Sequence, residues 1–154
     1  MDLVDRAKKI VDVLLQLSKY ENEIKKRLHE LWEALDRTII INIDLPWAIK
    51  AEVSVEPRSY KCLEVAPLRC EESGKELSQV VVEGPMLKLI CGNEECWRAD
   101  LGEITPDKVL TLACNLEPEE VAKLEEIIKE KMGELNNDLS SVKELIAYAK
   151  LLLS

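Results

Sequence analysis

Apolar residues recur every seven positions at both ends of the chain. Leu3, Ile10, Leu17, Ile24 and Leu31 make one ladder; Val121, Ile128, Leu135, Val142 and Ala149 make another. If the first set takes the d positions of a heptad, the a positions are Ala7, Leu14, Glu21, Leu28 and Leu35, and Glu21 alone is not apolar. This pattern predicts one long helix over about 3–36, with a seam of the kind that meets other helices. Val11, Val13 and Leu15 widen the stripe in its first half, which implies more than one neighbour there.

Between the ladders the period falls to two. Ile49, Ala51, Val53 and Val55 alternate with Lys50, Glu52, Ser54 and Glu56, as in a strand with one buried face. Similar or continuous apolar runs lie at 38–44, 60–65, 79–82, 87–91, 97–101 and 108–113. Pro46, Pro57, Pro67, Gly84-Pro85 and Pro106 punctuate them, and each proline removes a ladder donor. The expectation is an antiparallel meander of six or seven short strands. Pro118, Glu119 and Glu120 then suit the first turn of a C-terminal helix. Gly133, the weak run Asn136-Asn137-Asp138 and the capping-box spacing Ser141…Glu144 favour a break, giving helices at about 118–132 and 141–153.

These elements predict an α+β fold in one domain over 1–154: a helix over 1–37, a cysteine-containing sheet over 38–116 and one or two helices over 117–154. The terminal helices are expected to pair antiparallel against the sheet.

Composition narrows the classes. With 47% hydrophobic and 33% charged residues the chain is globular, and no run approaches the roughly 20 apolar residues of a membrane span. The net charge is −9, and the only dense basic cluster, Lys25-Lys26-Arg27, is flanked by acids, which disfavours nucleic acid as a partner. The first residues carry no basic region followed by an apolar core, so a cytoplasmic location is expected. Two glutamines, no phenylalanine and abundant Glu, Lys, Ile, Val and Leu suggest a heat-adapted source.

The cysteines hold the most specific local chemistry. Cys62, Cys70, Cys91 and Cys96 form two sequence pairs, and Cys114 stands apart on the last predicted strand. Cys91-Gly-Asn-Glu-Glu-Cys96 reads as a hairpin with a cysteine on each side of its turn. Three chemistries remain open: disulfides, which a hot cytosol permits; a four-cysteine zinc site at Cys62, Cys70, Cys91 and Cys96; or buried reduced thiols. Glu94 and Glu95 oppose a reactive thiolate beside them.

Catalysis has no comparable signal. The lone His29 cannot build a histidine site, no glycine-rich phosphate loop is present, and the acid pairs read as solvated charge. Trp32, Trp47 and Trp97 read as core residues. The order helix, small sheet, helix is similar in outline to prefoldin subunits. That likeness is one of layout, with no motif shared residue by residue, and it implies assembly and the holding of partners.

The expected function is therefore non-catalytic: a protein partner or a homo-oligomer, with no cofactor and no membrane. The expected interface is Leu3, Ile10, Leu14, Leu17, Ile24, Leu28, Leu31 and Leu35 of the first helix, with Val121, Ile128, Leu135, Leu139, Val142 and Ile146 of the last. The alternative is a zinc-binding adaptor, regulatory or associated with nucleic acid.

Overall fold

A computed structural model of the chain describes residues 2–36 and 50–154. The expected strand at 38–44, Trp47 and the side chain of Leu35 lie outside the described residues. The order of elements is α1 (Leu3–Asp36), β1 (Lys50–Glu64), β2 (Arg69–Glu83), β3 (Met86–Cys91), β4 (Glu94–Asp100), α2 (Pro106–Asn115) and α3 (Pro118–Leu153). The fold is α+β, with one antiparallel sheet in the order β1-β2-β3-β4 and the C-terminal helices packed with the first.

The sheet has four strands among the described residues, not six or seven. Two expected strands are one, because β1 runs on through Pro57. Pro57 falls where the register shifts between Ser54 and Arg58, on an edge strand, where a missing N–H costs no ladder bond. The expected last strand at 108–113 is helical. Pro106 opens α2, Asp107 suits its first turn, and Val109, Leu112 and Ala113 are buried at helical spacing. Gly84 and Gly92, at φ +58° and +64°, each open a two-residue hairpin turn that requires a positive φ at that position.

One face of the sheet is apolar. Ala51, Val82, Leu87 and Ala99 align across the four strands, as do Val53, Val80, Leu89 and Trp97. All but Trp97 are buried, and Trp97 packs against the core. The opposite face carries Lys50, Glu52, Glu83, Lys88, Glu95 and Arg98 in a chain of ion pairs.

The helix at the C-terminus is continuous through Gly133 and Asn136-Asn137-Asp138, against the expected break. Leu135 and Leu139 are buried on either side of that weak stretch, so packing holds what propensity would not. The capping box lies instead at Glu117 and Glu120, at the start of α3.

The two long helices run parallel, which corrects the antiparallel expectation. Arg6 meets Glu117, Lys129 lies over the ring of Tyr20, and Glu30 meets Lys143, so both numbers rise together. β1 starts with the Lys50 carbonyl accepting from Lys131, and Arg58 lies beside Glu120, so it travels against α3. Three more antiparallel strands leave Asp100 at the Lys50 end of the sheet. α2 then makes the return, with Asn115 on Lys61 and Leu116 on Arg6, so that α3 begins at the Arg6 end.

Burial holds the Tyr60 phenol above its ordinary value of 10.0, and the neighbouring Cys62 acts in the same direction. The folded chain then keeps a proton that the unfolded chain releases. Stability from this group is complete below pH 10.0 and is lost as pH rises through the raised folded value. Tyr60→Phe is expected to flatten the alkaline loss of stability, measured by urea unfolding across that range. A wild-type slope retained in the variant would remove Tyr60 as its cause.

Candidate functional site

The cysteines are sorted by strand geometry. Leu63 and Cys70 are partners across β1 and β2, so Cys62, one residue away, faces the other side of the ladder. Cys70 reaches α2 instead, where its sulfur lies 2.02 Å from that of Cys114, with the α-carbons 5.7 Å apart. Cys91 and Cys96 stand at disulfide distance around the β3–β4 turn, with α-carbons 5.8 Å apart. Cys62 is exposed and free. The four residues expected for zinc are therefore not brought together, and no group of three or more His, Cys, Asp or Glu among the described residues could hold a metal ion.

Beside the Cys70–Cys114 bond, β1 is docked on the helices by polar groups. Asn115 is 1% exposed. Its Oδ1 accepts from the Lys61 N–H at 2.7 Å, and its Nδ2 donates to the Lys61 carbonyl at 3.0 Å and to the Thr111 carbonyl at 2.8 Å. The side chain thus takes the place of a neighbouring strand at the open edge of β1. Arg58 donates twice to Glu120, at 2.8 Å each, and once to the Asn115 carbonyl. Arg6 donates to the Leu116 carbonyl at 2.8 Å, tying α1 to the same junction.

The expected interface ladder is largely used inside the chain. Ile10, Leu14, Leu17, Ile24, Leu31, Val121, Ile128, Leu135 and Leu139 are buried in the common core; Leu3, Leu28 and Val142 pack against it, and Ile146 is half-buried. Glu21, the odd seam residue, pairs with Lys25. Trp32, expected in the core, is 39% exposed on α1.

Among the described residues, exposed apolar side chains besides Trp32 and Val65 gather in two places. The first is a cleft of about 560 Å³ between the first half of α1, the β4–α2 connection and α2. One wall is Val4, Ala7, Lys8, Val11, Leu14 and Leu15; the other is Leu101, Gly102, Ile104, Pro106, Val109 and Leu110, with Leu68 of the β1–β2 turn beside them. Val4, Val11, Leu15 and Leu68 are exposed. The second is the last part of α3, where Leu145, Tyr148 and Leu152 are exposed at spacings of three and four. The broadened stripe at Val11 and Leu15 points to the cleft from sequence. Val4, Leu68 and the α2 wall escape that reading, because α2 reads as a strand.

A cleft lined by alkyl groups and one lysine has no nucleophile, acid–base pair or metal ligand set. It can exclude water from an apolar surface and offer one positive charge. No protein-family model matches the chain, and it matches no curated protein and no solved structure.

Proposed function

We propose that this protein is a non-catalytic assembly protein that associates with further copies of itself through helical surfaces. The observation that carries the reading is the exposed row Val4, Val11 and Leu15, which lies on α1 outside the seam with α3 and lines a concave apolar cleft. Contiguous apolar surface of this kind in a chain that is 33% charged is characteristic of an interaction site. A zinc-adaptor role has no comparable support, since the cysteines it needs lie in separate places. A cytoplasmic location belongs to the same proposal; paired cysteines suit a hot cytosol as well as an oxidising compartment.

Sedimentation equilibrium of the full chain over a wide concentration range tests the reading. Species heavier than the 17.5 kDa chain are expected. A monomer at every concentration would overturn self-association.

A further inference from the structure

From these two clusters of exposed apolar side chains, we infer that the cleft on α1 receives the Leu145–Tyr148–Leu152 stripe of α3 from a second copy of the chain. This rests on the self-association proposed above and names the surfaces that meet. Residues 4–15 make a wall about 16 Å long at 1.5 Å per residue, and the stripe spans roughly 10 Å, so three successive side chains fit within the cleft's length. An amphipathic helix laid in a groove uses anchors at this spacing. Leu15 is 63% exposed and Tyr148 60%, so both surfaces are open to a partner.

Charge decides which surface meets which. Lys8 is the one charged side chain lining the cleft, and it enters no ion pair among the described residues. On α3, Asp138 continues the line of the stripe toward the N-terminus and Glu144 borders it; neither forms an ion pair among the described residues. Two clefts facing each other would oppose Lys8 with Lys8, and two stripes would oppose acid with acid. Cleft against stripe places the lysine beside the acids.

The contact cannot close within one chain. Arg6 lies beside Glu117 and Glu30 beside Lys143, so Leu145, where the stripe begins, sits about 25 Å further along the rod than Leu15, where the cleft ends, on continuous helices. Joining opposite ends of identical molecules either repeats head to tail, building rings or open chains, or closes a two-fold pair in which each cleft takes the other copy's stripe.

Complementation by two exposed-site variants tests this. Leu15→Glu blocks the cleft and leaves the stripe intact; Leu145→Glu does the reverse. Each alone is expected to sediment as a folded monomer, with helical circular dichroism unchanged. An equimolar mixture is expected to give a species of two chains and nothing larger. As a second measurement, Lys8→Glu should weaken wild-type assembly severalfold, and adding Glu144→Lys to the same chain should restore it. If wild type assembles but the mixture stays monomeric, or if either variant assembles like wild type, the cleft–stripe contact is wrong and self-association stands. A monomeric wild type would overturn both.

Discussion

Replacing Cys70 and Cys114 together by serine is expected to destabilise the chain by about 4 kcal/mol, from loop-closure entropy over a separation of 44 residues. A loss of that size lowers the midpoint of thermal unfolding by on the order of 10 °C in a domain of this length. The location adds a local effect. β3 pairs with β2 only over Gln79 to Glu83, so residues 61–72 form a two-stranded ribbon beyond the rest of the sheet. Two strands alone are marginal, and this ribbon is anchored to α2 by Asn115 and the Cys70–Cys114 bond. Hydrogen exchange should therefore quicken first in 61–72. The Cys91/Cys96 double serine variant is the control. Its separation is 5 residues, and the same relation gives at most about 2 kcal/mol, in a turn that Gly92 already shapes. Equal losses from the two double variants, each measured against the oxidised wild type, would defeat the loop-length account.

Asn115→Leu is expected to cost about 3 kcal/mol. The substitution keeps the branched outline of the side chain but removes three hydrogen bonds, each worth about 1 kcal/mol net. It also leaves the Lys61 N–H and carbonyl facing an apolar side chain, and an orphaned backbone group carries a desolvation cost of its own. Urea unfolding gives the magnitude, and exchange at the Lys61 amide reports the place. A loss below about 1 kcal/mol would mean that water replaces the asparagine at the edge of β1 without penalty.

Both effects centre on a junction that a reading along the chain describes poorly. The expected strand at 108–113 conceals it. Val109-Leu110-Thr111-Leu112-Ala113 is apolar and partly β-branched, and a short apolar run of that kind does not separate strand from buried helix. Once the segment is helical, Cys114 and Asn115 are carried to its end, against the edge of β1. The cysteine pairing follows the same course. Cys62 and Cys70 are near in sequence, but alternation along a strand turns them to opposite faces, and Cys70 finds a partner 44 residues away. The hairpin at Cys91–Cys96 is legible in the sequence because its turn and its partners are local.

The seam of the long helices shows how far periodicity reaches. The seven-residue ladders mark α1 and α3, and most of their described residues are buried in the common core or packed against it. Periodicity says nothing about direction, because a heptad stripe is apolar whichever way its neighbour runs. The parallel pairing comes from the path of the whole connection, in which the strands end at the Lys50 end of the sheet and α2 carries the chain back to Arg6. The break expected near Gly133 fails for a related reason. Local propensity disfavours helix there by about 1 kcal/mol for the glycine, and burial of Leu135 and Leu139 outweighs it.

Period alone thus marks amphipathic helix at both ends of the chain, and the turn residues mark the hairpins between them, since each depends on residues within a turn or two of one another. Helix direction, the merging of strands through Pro57, the Cys70–Cys114 link and the α2 wall of the cleft depend on contacts between distant segments. Those are decided by which faces can be buried together, and only the folded chain makes that choice.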